Sequence, residues 1–576
     1  MKLTFAFLAV FVSRSVLAQE STASLLRGTG RSSTSTEEAQ EHLLAVKGSI
    51  AESSCSQLGE DDCSGSQDDD GVQCVWCKCS AIPSECLNVE QAKAAPPGVF
   101  DCAPAPSPST EESASTTVSA DSIGYNPDQF NYSLKESPVD GSLCDPDSLS
   151  ISGYVDITGS KYDTDRANKH LFYWFFEKRS TNDEKIEQVQ DAEDIPIVIW
   201  LTGGPGCSST LALLFENGPC TVAEDGQSTI VNPYSWTEAA HVLWLDQPAG
   251  VGFSYGEEND YNEEMISEDA YYFLQEFLKE HPEYASNPVT IVGESYGGHY
   301  APAVAHKIWT KNKDVEESMI DINLAGLAVG NGLTNPIEQY QWYPEMAVNN
   351  SHGIKVVSDD TYAQMKKAVP ACIKLIEECN KGDSFINTFS CQSAFVVCNV
   401  AETTPYQMTG LNPYDITKQC GDNPLCYDFT NIEKWLNLES TKEALNVSEH
   451  SSKWQSCNMG INLKFHTDWM KDFSPYVADL IDDEIHVLVY AGDLDYICNY
   501  LGNRAWALNL EWLFKEDFNA AEDHEWGVDQ DGSAGLAKTS HGFTFLQVYD
   551  AGHMVPADKP KVALDMISNF LNGGEF

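Results

Sequence analysis

Positive charge is scarce in this chain. Its 576 residues carry 34 Lys and Arg against 87 Asp and Glu, a formal net charge of −53. Such a polyanion repels phosphate backbones, which excludes a nucleic-acid partner. It also suits an acidic compartment, where many carboxylates are partly protonated. Long apolar runs are scarce too. The run Leu3 to Val12 follows Met1-Lys2 and is too short to cross a bilayer. With Val16-Leu17-Ala18 as a small-residue cleavage site before Gln19, residues 1–18 read as a secretory signal peptide. No later stretch is apolar enough for a membrane span, and no internal repeat is present. The expected destination is the secretory pathway, with the product secreted or held in a vacuole or lysosome.

Histidine is absent where cysteine is densest. Residues 51–102 hold seven cysteines, from Cys55 to Cys102, including Cys74-Val75-Trp76-Cys77-Lys78-Cys79, but no histidine. A zinc site is the sharper reading; an oxidising route favours a small disulfide-stapled module whose binding partner the sequence does not name. Residues 19–50 are polar and Ser/Thr/Glu-rich, a flexible segment or pro-region. Residues 103–122, APAPSPSTEESASTTVSADS, have almost no core-forming side chains and read as a linker. Three N-x-S/T sequons, at Asn131, Asn349 and Asn446, are glycosylation candidates.

From residue 125 to 576 the pattern changes. Short apolar runs of strand length, among them IPIVIWL, HVLWLD, VTIVG, INLAGLAVG and IHVLVYAGD, alternate with helical stretches such as Glu263 to Lys279 and Lys559 to Leu571. That alternation predicts an α/β fold with a mostly parallel central sheet flanked by helices. Residues from about 335 to 483 interrupt the rhythm and carry seven further cysteines, a disulfide-rich insertion expected to cap the C-terminal edge of the sheet.

Within the repeating part, Gly293-Glu294-Ser295-Tyr296-Gly297 is a G-x-S-x-G with a strand before it and a helix after it. That context lifts the Ser295 hydroxyl above a sheet edge as a nucleophile. The following helix N-terminus favours negative charge there. Two further strand ends supply a base and its orienter. His553 follows one apolar run and Asp495 another, in the chain order Ser, Asp, His of the α/β-hydrolases. Asp493, two residues earlier, is the rival to Asp495 on pattern alone.

Seven motifs in order make the likeness specific. WLTGGPGCSS, FENGP, DQPAGVGFSY, GESYGGHY, GNGLTNP, YAGDLDYICNYLGNRAW and GHMVPADKP resemble the serine carboxypeptidase family, over the stretch from about Ile151 to the C-terminus. The resemblance implies the α/β-hydrolase fold and a peptidase that releases C-terminal residues from peptides and proteins at acidic pH. Its acyl-enzyme forms on Ser295, His553 and Asp495, and no cofactor or metal is called for. It also implies an oxyanion hole at the backbone of Gly204 and Tyr296. A substrate-carboxylate site would comprise Glu216, Glu294, Gly203 and Thr202, with Cys498 and Met554 at the pocket. Two carboxyls forced together share a proton, and the neutral one can donate to a peptide's terminal carboxylate. At Thr202 the sequence departs from the commonest family pattern, which has asparagine. The departure bears on carboxylate affinity rather than reaction class.

The family likeness further implies the bridges Cys207–Cys457, Cys372–Cys398, Cys379–Cys391 and Cys420–Cys426, with Cys498 left as a free thiol. Cys144 and Cys220 have no family partner, and a bridge between them is a guess. Peptide C-termini are the expected partners, and the sequence leaves monomer and homodimer open. An acyltransferase built on the same triad and a catalytically silent binding protein are the competing functions.

Overall fold

Four of the apolar runs are buried at nearly every residue, as they must be when both faces of a parallel sheet are covered. Ile197–Thr202, His241–Leu245, Val289–Glu294 and His486–Gly492 pack Val, Ile, Leu and Trp side chains into two layers of core. In this computed structural model the described residues are 74–79, 85–88, 100–102, 131–158, 168–180, 195–315, 319–423, 425–527, 532–574 and 576. The signal peptide, the polar segment and the linker expected from the sequence lie outside them. The chain divides into two units between Ser113 and Ala114.

In the first unit, strands Glu85–Asn88, Cys74–Cys79 and Phe100–Cys102 form a three-stranded antiparallel sheet with Cys74–Cys79 at its centre. The second unit is built on a twelve-stranded sheet. At its centre run six parallel strands in the order Phe543–Val548, His486–Gly492, Leu324–Gly330, Val289–Glu294, Ile197–Thr202 and His241–Leu245. Antiparallel strands extend both sides. Asn168–Phe176, Ser150–Thr158 and Asn131–Val139 follow His241–Leu245, with the short Tyr255–Gly256 also paired to Asn168–Phe176, while Gly535–Ser540 and His524–Trp526 follow Phe543–Val548. The sheet is therefore parallel where the site forms and antiparallel at its margins, which the sequence pattern did not reveal.

Helix Glu263–Glu280 is capped by Asn262, whose side chain accepts from the Met265 N–H at 3.1 Å, and its first turn is acidic, as the helix dipole favours. It lies against helix Gly297–Asn312 on one face of the sheet. Between strands Leu324–Gly330 and His486–Gly492 the chain leaves the sheet and becomes mostly helical. Helices Asp359–Cys379 and Phe385–Cys398 form a hairpin there, joined by Cys372–Cys398 and Cys379–Cys391. Bridges Cys207–Cys457, Cys420–Cys426 and Cys144–Cys220 are also formed, and Cys498 is a buried free thiol. Among the described residues no helix is long and apolar enough to cross a membrane.

Candidate active site

Strand Val289–Glu294 and helix Gly297–Asn312 meet at Ser295, which holds a left-handed backbone, φ 63°. Side chains would block so sharp a crossing. A Cβ on Gly293 would sit 2.1 Å from the Gly297 carbonyl oxygen, and one on Gly297 would sit 2.6 Å from that of Leu201. The turn is held by its backbone. The Ser295 N–H donates to the Gly330 carbonyl at 3.2 Å, and its own carbonyl accepts from the N–H groups of Gly298 and Leu333, each at 2.9 Å. This places residue 295 at the C-terminal end of the central strands.

His553 and Asp495 meet there, from the ends of two neighbouring strands. His553 Nδ1 lies 2.7 Å from Asp495 Oδ2, with both side chains buried. Asp495 accepts further from the Asn331 side-chain amide at 2.9 Å and from the backbone N–H groups of Ile497 and Cys498 at 3.0 and 3.2 Å. The carboxylate is thus fixed in one orientation. The rival, Asp493, is engaged elsewhere. Its oxygens accept from Asp550 N–H at 2.9 Å, Ser351 Oγ at 3.0 Å and Gln547 Nε2 at 3.1 Å, and His352 Nε2 lies at 2.8 Å. It anchors the loop behind the histidine rather than the histidine itself.

Asn331 was not singled out from the sequence. It stands at the end of strand Leu324–Gly330, with φ 39°, and its Oδ1 accepts from the Gly492 N–H at 2.9 Å. One amide thus ties the third strand end to the aspartate. The motif GNGLTNP contains it, but its partner is on another strand, so no local signal assigns the role.

Glu216 and Glu294 are brought together beneath the site, both buried. Their carboxyls share a hydrogen bond, and no other described residue is hydrogen-bonded to the buried Oε2 of either. Burial pushes Glu216 up to about 7. Burial and the Glu216 charge push Glu294 higher still. The pair therefore carries at least one proton in acid, and its protonated member can donate to an anion.

The loop Gly203–Cys207 lies against the serine turn. A Cβ on Gly203 would meet the Tyr296 nitrogen at 2.3 Å, so these two backbones touch. The loop is held from the insertion by Cys207–Cys457 and by Asn462 Nδ2, which donates to the carbonyls of Gly204 and Pro205, each at 3.1 Å. Asp246, pushed up to about 6 by burial, ties the same loop to its neighbour by accepting from Ser208 Oγ, Thr210 N–H and Phe253 N–H. Thr202 is buried at its strand end. Its hydroxyl oxygen accepts from the Trp200 indole N–H at 2.8 Å, which leaves the hydroxyl hydrogen available.

Cys498 and Met554 sit beside the triad, the first three residues after Asp495 and the second directly after His553. Ligand atoms of Asp495, Cys498 and His553 lie within 4.8 Å of one another, and burial holds the thiol protonated. Two tyrosines of the insertion complete the wall. Tyr414 packs its ring 5.0 Å from that of His553, and Tyr427, 5.7 Å from Tyr414, has a buried hydroxyl without a partner among the described residues. Neither was legible as a site residue, since the insertion carries no regular pattern that would aim them.

A serine turn, an imidazole and a carboxylate at the C-terminal ends of parallel strands define the class as an α/β-hydrolase. Residues 144–573 match the serine carboxypeptidase family. The chain is 42% identical over 448 residues to carboxypeptidase Y homolog A of Leptosphaeria maculans, covering 77% of each protein. It is 41% identical over 425 residues to carboxypeptidase Y of Candida albicans, covering 73% of each. Among solved structures it is similar to a prohormone-processing carboxypeptidase of Saccharomyces cerevisiae, with a TM-score of 0.66 and 25% identity, over 76% of this chain and 95% of that one. The chain belongs to the serine carboxypeptidase family, and its activity is that of a serine-type carboxypeptidase.

Proposed function

We propose that Ser295, His553 and Asp495 act as one catalytic unit that releases C-terminal residues from peptides, with the protonated Glu216–Glu294 pair recognising the chain end. His553 takes the Ser295 proton as the oxygen attacks the last peptide carbonyl. Asp495 holds the imidazole with Nδ1–H toward itself and stabilises the imidazolium. The backbone N–H groups of Gly204 and Tyr296 receive the oxyanion, whose charge exists only in the tetrahedral state. His553 then gives its proton to the departing amine. Water repeats the sequence on the acyl-serine, and the acid leaves.

The observation that carries this reading is the buried carboxyl pair, Glu294 directly before the serine and Glu216 hydrogen-bonded to it. A peptide's terminal carboxylate is attracted only while the pair keeps its proton. As pH rises through about 7 Glu216 ionises first, and the second charge, on Glu294, appears above that and repels it. The expected result is a kcat/KM for an N-blocked dipeptide that is highest in acid and falls above that range through KM. In the double variant Glu216→Gln, Glu294→Gln that alkaline fall disappears, because amides do not titrate. An unchanged profile in the variant removes the carboxyl pair from the account.

Gly203 and Thr202 are assigned to the same carboxylate, the first through its N–H and the second through its remaining hydroxyl hydrogen. Loss of one hydrogen bond to a charged group costs about 1.5–3 kcal/mol, so Thr202→Val raises the peptide KM by roughly 10- to 100-fold. Thr202→Asn restores binding, since its oxygen can still accept from Trp200 while its amide donates. Steady-state KM values for a dipeptide and for the matching amino-acid ester, which lacks the carboxylate, separate this role from packing. Only the peptide value moves.

Export through the secretory pathway is proposed from the N-terminal apolar run and supported by the disulfides. Asn349 and Asn446 are exposed, as glycosylation there requires, whereas the Asn131 side chain lies outside the described residues.

A further inference from the structure

A second pair of buried acids lies behind the oxyanion hole. Asp468, from the insertion, accepts a hydrogen bond from the Tyr296 hydroxyl at 2.9 Å through Oδ2. Glu263, the first residue of helix Glu263–Glu280, is buried beside it, and neither of its carboxyl oxygens has a hydrogen-bond partner among the described residues. One helical turn beyond Tyr296, the Tyr300 hydroxyl accepts from the Gly206 N–H at 3.4 Å. Gly206 belongs to the loop that carries Gly204. The cluster thus holds the side chain of one residue assigned to the oxyanion and the loop that carries the other.

Nothing in the triad mechanism uses these acids. Yet a catalytic N–H is only as well aimed as the residue that bears it, and oxyanion donors work because they are fixed before charge develops. The Tyr296 ring is wedged between His299 at 4.5 Å, Tyr300 at 5.2 Å and Trp469 at 5.3 Å. Among the described residues its hydroxyl is anchored by Asp468. We propose that Asp468 is a positioning residue for the oxyanion hole, acting through the Tyr296 hydroxyl, and that Glu263 is the buried acid that confines this support to low pH.

The groups facing the pair are Glu264, Tyr296, Tyr300 and Lys471; Asp260 acts on Tyr300, and His299, pushed down to about 4 by burial, stacks on Tyr296. Asp260 is committed to Lys169 at 2.6 Å. Lys471 bonds Asp383 and the carbonyls of Cys379 and Gly382, so its help to Asp468 is divided. Burial pushes both acids above the usual carboxylate range, Asp468 up to about 7, and the charge of Asp468 pushes Glu263 further. While one proton remains between them, Asp468 can hold Tyr296. When the second leaves, two buried anions repel, and the anchor loosens. This inference rests on Tyr296 being an oxyanion donor, and it adds a second alkaline limb, in kcat, distinct from the KM limb of Glu216–Glu294.

The test uses an N-blocked amino-acid ethyl ester, which has no carboxylate for Glu216–Glu294 to bind. Asp468→Ala should lower kcat by about 10- to 100-fold with KM within about twofold, less than the loss of an entire oxyanion donor. Asp468→Asn keeps an acceptor oxygen and should recover most of the rate. Glu263→Gln should move the alkaline limb of kcat upward by at least one pH unit. If Asp468→Ala does not fold, Tyr296→Phe, which removes only the hydroxyl, must show the same kcat loss. Equal damage from Asp468→Asn and Asp468→Ala, a loss that falls on KM, or an unmoved limb in Glu263→Gln overturns the proposal. Ser295→Ala measured alongside separates the two levels. If it is inactive while the Asp468 variants are normal, the triad stands and the positioning pair fails.

Discussion

Ser295→Ala should lower kcat on an N-blocked dipeptide by about 10⁶-fold while leaving KM and the fold nearly unchanged. The magnitude follows from the nucleophile and base acting as one unit, so that removing either forfeits the covalent route altogether. The rate that survives, about 10³–10⁴ above uncatalysed hydrolysis, comes from the oxyanion hole and substrate binding, which the substitution leaves in place. The fold should persist because the bonds that hold this turn are made by its backbone, to Gly330, Gly298 and Leu333, and alanine keeps them. Alanine tolerates the left-handed φ no better than serine does, but the strain is already present. Stoichiometric labelling of the wild type by a serine-directed organophosphate, with no label in the variant, checks the same residue independently. Labelling that persists in the variant would place the nucleophile elsewhere.

Asp495→Asn should cost about 10⁴ in kcat with little change in KM. At present four N–H donors converge on this carboxylate, from His553, Asn331, Ile497 and Cys498. An amide has one acceptor oxygen and presents hydrogens at the other position, so a donor must face a donor. The imidazole then loses the partner that fixes its tautomer and supports its positive charge. Asp493→Asn provides the contrast, because that residue holds the loop rather than the ring, and its effect should fall on stability. A rate loss for Asp493→Asn as large as for Asp495→Asn would reverse the assignment.

The proposed triad can be read from the sequence because each member follows a recognisable apolar strand, and strand ends are where a parallel sheet presents chemistry. The carboxyl pair was different. Glu216 follows a short helix and Glu294 ends a strand, and only the family likeness joins them, since a contact between distant loops leaves no local pattern. Asn331, Asp468 and Glu263 were unreadable for the same reason: each acts on a partner from another element. The central strands were read from their apolar runs, and so was the flanking strand Asn168–Phe176 from its HLFYWFF, but the outer strands were not. NYSLKESPV, which forms the edge strand Asn131–Val139, mixes Lys, Glu and Pro into its length, as an edge tolerates and a central strand does not. GLAKTS, strand Gly535–Ser540, is too polar and short to stand out. The insertion's tyrosines, Tyr414 and Tyr427, owe their place to loop conformations that only tertiary packing specifies.

The central claim is that this site reads a free chain end through a shared proton. It is tested most directly by comparing kcat/KM for an N-blocked dipeptide with that for its C-terminal amide, from pH 4 to pH 9. The two substrates differ only in the group that meets Glu216 and Glu294. The account predicts strong preference for the free acid at low pH, with the ratio falling as pH rises through about 7, where Glu216 ionises, and collapsing above it as Glu294 follows. A ratio near one in acid, or a preference that does not change with pH, would contradict it.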